Sequence, residues 1–296
     1  MKPRFGVYQY QHLPVSTLAE RWRRADELGF DSLWNVDTVV DPDRPHGMML
    51  DGPSTLVAMA LETSRIRIGT LVTSLYFRHP VTAARAAMTI DQLSGGRLEI
   101  AIGVGDPGAG PAAGGAPDWP AAERIARFRE FVELTDRLLT SPLTTYAGRY
   151  YSCVDTEMIP GPVQRPRPPL TIAAHGPRML AIAAEWADGW SSWGGYGIET
   201  EAEFFSLTAE RSRRFDDRCR DHGRDPGTIR HSLVCFPAPD AVGVDRLLRR
   251  HGRPLRRGRH RRIRPLLAAT LARPTPGGRR LRADRRRCPA SAPRHH

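Results

Sequence analysis

Ile66-Arg67-Ile68-Gly69-Thr70-Leu71-Val72-Thr73 and Leu98-Glu99-Ile100-Ala101-Ile102-Gly103-Val104 stand on either side of a helical stretch, Val81 to Leu93, that runs into Gly95-Gly96. The first run has too little polar alternation for a half-exposed sheet, and the second reads as buried on both faces. Near-continuous apolar strands joined through a helix indicate a parallel sheet with helices packed on it.

The same alternation extends in both directions. Phe5 to Tyr8 reads as a strand, followed by a helix on which Leu18, Trp22, Ala25 and Leu28 recur at helical spacing. Thr17-x-x-Glu20 has the pattern of a capping box at its start, and Gly29 suits the left-handed position at its end. Ser32 to Val36 is the next strand and Ser54 to Thr63 the next helix. Further on, strands are expected at Leu170 to Ala174, Gly189 to Ser192 and Ile229 to Phe236. Helices are expected at Glu123 to Leu139, Pro177 to Trp186 and Glu201 to His222. Seven strands interleaved with helices fit an α/β (β/α)8 TIM barrel whose last βα unit is degraded or missing. A doubly wound open sheet is the alternative, weakened because no G-x-G-x-x-G follows the first strand. Residues 106–120, rich in Gly, Ala and Pro, have the composition of a mobile lid. Ser141 to Pro169 reads as a long Pro-rich wrap.

The 296 residues include no apolar run near the ~20 needed to cross a bilayer. The N-terminal stretch lacks the apolar segment of a signal peptide, so a cytoplasmic location is expected. Cys153, Cys219, Cys235 and Cys288 form no close C-x-x-C pair, and no H-E-x-x-H, P-loop or G-x-S-x-G occurs, so no metal site is expected. The net charge is +12, but 18 Arg and only 2 Asp fall from Ala241 onward, leaving 26 basic and 30 acidic residues before it. The body is therefore mildly acidic, and nucleic acid is not its expected partner. Residues 1–240 are read as the barrel domain and 241–296 as an atypical, poorly ordered Arg-rich tail. A basic arm, an idiosyncratic extension and a reading-frame shift in a GC-rich gene compete as explanations. The 43 Arg against one Lys favour the shift. Loss of the eighth strand would expose the edges of strands one and seven.

In a (β/α)8 barrel the site lies where strands end. That rule selects Asp37, the stretch Thr73 to His79, Gly103 to Asp106, His175-Gly176 and Ser191 to Gly195. Asp37 and His79 are the catalytic candidates, although a polar residue before Pro80 also suits a turn or helix cap. Gly103 and Gly105 serve either a tight turn or close approach of a ligand. His175, opening a helix, suits an anion. Trp190 and Trp193 stand at a strand end.

Several blocks together resemble the bacterial-luciferase-like monooxygenase family. They are Gly29-Phe30-Asp31-Ser32-Leu33-Trp34 with Asp37, Thr63 to Thr70, Arg78-His79-Pro80, Asp91-Gln92-Leu93-Ser94-Gly95-Gly96-Arg97-Leu98 with Gly103-Val104-Gly105, Pro162 to Pro169, Gly176-Pro177-Arg178 and Ala187-Asp188-Gly189-Trp190. The resemblance implies reduced F420 or FMN bound at the barrel mouth. It also implies a non-proline cis peptide in the third strand, near Leu71-Val72. Leu71, Val72, Thr73, Gly103, Gly105, Asp106 and Ser191 would lie about the ring. His175, Gly176, Pro177 and Arg178 would take the phosphate, with the helix dipole favouring the anion. The cofactor carries the chemistry, hydride transfer or O2 activation on a small organic substrate. The F420-using branch resembles Trp34-x-x-Asp37 followed by His, where Thr38 stands here, and no Lys follows Ser191. Asp37 still tilts the reading towards F420. A separate flavin or F420 reductase and a homodimer are the implied partners. A catalytically impaired barrel, or nucleic-acid binding by the tail, is the alternative.

Overall fold

The computed structural model describes residues 4–41, 46–105, 112–194, 198, 200–235 and 266–270, the last as backbone only. Its elements follow the predicted order. They are β1 (Arg4–Tyr8), α1 (Val15–Glu27), β2 (Ser32–Asn35), α2 (Gly52–Glu62), β3 (Arg67–Thr70), β4 (Thr73–Ser74), α3 (Pro80–Leu93), β5 (Ile100–Gly103), α4 (Ala121–Thr140), β6 (Leu143–Ala147), β7 (Ser152–Glu157), β8 (Leu170–Ala173), α5 (Pro177–Trp186), β9 (Gly189–Trp193), α6 (Glu201–Asp221), β10 (Arg230–Val234) and β11 (Leu266–Thr270).

Nine strands form one sheet in the order β3-β2-β1-β11-β10-β9-β8-β5-β4. All neighbours are parallel except the two pairs made by β11. The sheet's two ends, β3 and β4, are halves of the third strand, separated by a cis peptide at Leu71–Val72, where the resemblance implied one. The ladder is not a continuous ring there. A single parallel bridge, Ile68 to Leu98, spans the join.

Side chains alternate across this sheet. The outer face packs Leu33, Ile68, Ile100, Ile102, Ile172 and Trp190 against Trp22, Met59, Met88, Phe131, Leu180 and Phe215 of the helices. Inside, Tyr8, Trp34, Leu71 and Ala101 form a separate small cluster. At the strand N-terminal ends Glu99 is buried among Arg67 (2.6 Å), Arg230 (2.9 Å) and Arg4 (3.7 Å).

Three expectations are corrected. Helix α1 begins at Val15 behind Pro14, with no side-chain cap, so Thr17 and Glu20 already lie inside it. The fixed φ of Pro14 lets the chain enter the helix earlier than the motif suggested. The capping box occurs at α6 instead, between Thr200 and Glu203. The 141–169 segment is not a plain wrap, because β6 and β7 pair as an antiparallel hairpin. The eighth position is not empty. The apolar run Leu266-Leu267-Ala268-Ala269-Thr270 lies between β1 and β10, with Arg4 opposite Thr270 and Val234 opposite Ala268. Backbone ladders accept either direction, so an antiparallel strand covers both edges without the helical crossover that a parallel one needs. The rest of the 241–296 segment lies outside the described residues.

Candidate active site

The mouth of the barrel is built around the split third strand. Leu71 is buried, Thr70 and Thr73 hydroxyls bond at 2.7 Å, and Thr73 and Ser74 pair with Ile102 and Gly103. A Cβ on Gly103 would stand 2.5 Å from Val72 Cγ2. Gly105 has φ +74° and would drive a Cβ into the Ser74 hydroxyl and the Tyr76 ring. The close approach that requires glycine at both positions is therefore made by the protein's own strand. Asp106 lies outside the described residues, as do the other residues of the expected lid up to 111.

Asp37 is buried and held by both nitrogens of an Arg78 fork, Nε at 2.8 Å and Nη2 at 3.1 Å. Arg78 also donates to Asp51, the N-cap of α2. Burial raises the Asp37 pKa, with Arg78 pulling the other way and Asp51 adding to the rise. Thr38 spends its hydroxyl on the Val40 carbonyl at 3.1 Å. His79 is the N-cap of α3: its Nδ1 accepts from Val81 N–H at 3.3 Å, and burial lowers its pKa. Its ring meets the Tyr151 edge at 5.3 Å. These contacts give His79 the capping role that its position before Pro80 allowed.

On the opposite wall, His175 follows β8, and its Nε2 accepts from the Trp193 N–H at 3.3 Å. Burial, then the charge of Arg211, lowers its pKa to about 4, so the imidazole is neutral near pH 7. Gly176, Pro177 and Arg178 are exposed. Gly176 is the N-cap of α5, with no side-chain cap and no atom within 4 Å of where its Cβ would be. Pro177 at the first helical position lacks an N–H anyway, and no side chain caps the N–H groups that follow it. Ser191 is buried on β9 between Ala173 and Ser232. Trp190 is core, stacked on Phe215 at 5.0 Å, whereas Trp193 leans on His175 at 6.1 Å.

Two groups at the mouth were not recognised from the sequence, although Tyr76 falls within the selected stretch Thr73 to His79. Tyr8, Tyr10 and His12 follow one another at alternating positions off β1. Tyr10 meets Tyr8 edge-on at 5.4 Å and lies flat on His12 at 5.8 Å. His12 Nδ1 is 3.0 Å from Asp41, which is 3% exposed. The alternation at a strand end was a usable signal; nothing local links His12 to Asp41. The second group stacks Tyr76 on Trp119 (5.2 Å) and places Arg127 over Trp119 and Tyr150 (4.4 Å each), with Arg124 reaching Tyr76 Oη at 3.4 Å.

The most recognisable sequence block is structural. Asp91 accepts from the N–H and side chain of Gln164, and Arg97 donates to the carbonyls of Ala60, Thr63, Ile66 and Ser94. A small cavity of about 40 Å³ behind the split strand, lined by Leu56, Ile90, Ile102, Phe131 and Thr135, belongs to the sheet–helix layer rather than the mouth.

Parallel strands in barrel order and a cis peptide within the third strand define the class: a TIM-type α/β barrel whose ladder is not closed at that strand. The chain belongs to the luciferase-like monooxygenase family, whose model matches residues 2–263. It is 31% identical over 249 residues to an F420-dependent glucose-6-phosphate dehydrogenase of Intrasporangium calvum, covering 79% of this chain and 73% of that relative. A second such enzyme, from Amycolatopsis mediterranei, is 35% identical over 62% of this chain, which spans only 54% of it. Among solved structures, an F420-dependent secondary alcohol dehydrogenase in complex with an F420–acetone adduct superposes with a TM-score of 0.68 at 22% identity. That match covers 79% of this chain and 68% of the other. Among the described residues no helix is long and apolar enough to cross a membrane.

Proposed function

We propose that this chain is an oxidoreductase that works with F420 or FMN in reduced form, acting on a small organic substrate. The observation that carries the reading is the exposed, uncapped start of α5 at Gly176-Pro177-Arg178, beside the strand ends. Open space at Gly176 and a free run of helical N–H groups suit a phosphate-bearing cofactor. Arg178 would add a charge-assisted bond. Leu71, Val72 and Thr73 would back the ring, with Ser191 across from them, and Gly103 and Gly105 would hold that strand in place. Bound there, the group supplies hydride transfer or O2 activation. The protein's own task is to orient the substrate, exclude water and manage protons.

The tilt towards F420 is supported by the F420-dependent relatives more than by Asp37, whose carboxylate is committed to Arg78. In this reading Asp37 positions Arg78 and the start of α2 rather than exchanging protons freely, and His79 is a cap. Thr38 argues against sugar-phosphate dehydrogenation as the reaction. A cytoplasmic location, a homodimer and a partner reductase complete the proposal.

Titrating the full chain with oxidised F420 and, separately, FMN while following visible absorbance tests it. Saturable perturbation by one of them is expected, with F420 the tighter. Arg178→Ala should weaken that binding roughly tenfold, the equivalent of ~1.4 kcal/mol. A spectrum unmoved by either cofactor ends the reading.

A further inference from the structure

We propose that His12, oriented by Asp41, is the proton-exchanging group of this mouth. The inference rests on the cofactor reading above and deepens it. His12 lies four residues beyond the end of β1, on the side where the strands terminate. Its backbone neighbourhood is pinned by Gln11, which is fully buried: the Gln11 amide donates to the Val36 carbonyl and its oxygen accepts from Val36 N–H at 3.3 Å, while the Leu50 N–H donates to the Gln11 carbonyl at 3.1 Å. The loop that carries the ring is thus tied to the end of β2.

The ring itself is fixed from two sides. The Asp41 carboxylate, 3% exposed, can only accept when ionised, so the 3.0 Å contact places the ring proton on Nδ1. Nε2 is left as the acceptor nitrogen that can take a proton from a ligand. Tyr10 lies parallel to the imidazole, at 9° and 5.8 Å. On its other side Tyr10 packs on the inner cluster of Tyr8, Trp34 and Leu71, together with Val72 and Val234. One aromatic ring therefore separates His12 from the split third strand. With 22% of its side chain exposed, the imidazole remains reachable.

Neither residue chosen from the sequence fills this role: Asp37 is clamped by Arg78, and the Nδ1 of His79 is spent on a helix cap. His175 accepts from the backbone through Nε2 and carries a pKa of about 4. His12 alone among these combines a carboxylate partner with an accessible ring. In an alcohol dehydrogenation, His12 Nε2 would take the hydroxyl proton while the bound deazaflavin or flavin would accept the carbinol hydride. The products are a carbonyl compound, the reduced cofactor and an imidazolium that returns its proton to solvent. The reverse reduction uses the same proton.

Diethyl pyrocarbonate, which acylates a neutral imidazole nitrogen, gives a test that needs no known substrate. The full chain is treated with and without oxidised F420 or FMN, whichever perturbs its spectrum, and His12 is followed by peptide mass spectrometry. With the cofactor at about ten times its Kd, roughly one tenth of the sites stay empty, so acylation of His12 should slow about tenfold. Asp41→Asn should change the His12 ¹⁵N spectrum from the Nδ1–H tautomer to a mixture. Equal acylation of His12 in the presence and absence of bound cofactor overturns the inference and leaves the cofactor reading standing. Absence of any spectral perturbation overturns both.

Discussion

The two ends of the barrel are built on opposite plans. At the N-terminal ends of the strands almost every charge is spent on protein. Glu99 gathers three arginines, Arg97 holds four carbonyls, and Asp188 takes the Leu170 N–H and Arg167. At the C-terminal ends, the start of α5 is left without a cap, and His12 and Arg178 remain accessible. The lesson is a division of labour. The lower end is over-bonded and stabilises; the upper end leaves the start of α5 uncapped, where the proposed cofactor would bind.

Glu99→Gln tests the lower end hardest. Removing one member of a buried ion-pair cluster strands the others, at a cost of about 3–5 kcal/mol. A lowered denaturant midpoint with unchanged cofactor affinity is expected; full stability would show that the three arginines manage without their carboxylate. Burial raises the Glu99 pKa, but Arg230, Arg67 and Arg4 outweigh it and the net shift is downward. Its stabilising contribution is therefore present above the ordinary ~4.3 and lost as pH falls through the lower folded value.

His175 gives the upper end its own pH signature. Its folded pKa of about 4 lies below the unfolded ~6.5, so the unfolded chain binds more protons between those values. Stability should fall by about 1–2 kcal/mol from pH 7 to pH 5. His175→Gln should flatten that part of the profile; urea melts at the two pH values that respond identically in parent and variant would contradict it.

His79 is the case where the division fails locally, an upper-end residue with a structural task. His79→Ala should cost about 1 kcal/mol, as loss of a cap does, and His79→Asn should recover most of it. Cofactor affinity should not move in either variant. Unchanged stability with lost binding would return His79 to the site.

Much of this was legible in advance, and the pattern of what was not is informative. Strand and helix positions, the cis peptide at Leu71–Val72 and the anion-suited α5 start could be read from local patterns or from resemblance. Individual roles could not. Asp37 was a catalytic candidate from its place at a strand end, and nothing nearby shows Arg78, 41 positions on, closing over it. The close packing of Gly103 could not be read either, because the facing Val72 side chain belongs to another strand. His12 went unnoticed because its carboxylate is 29 residues away.

Local burial periodicity in the amino-acid order was enough to establish an α/β chain of alternating strands and helices, since each element records which face it buries every few residues, and the family resemblance favoured the barrel over an open sheet. The direction of β11, the Arg78 clamp on Asp37 and the His12–Asp41 pair were settled only in three dimensions. Each joins residues far apart in the chain, and such a meeting depends on how the whole sheet curls, which no short stretch of sequence records.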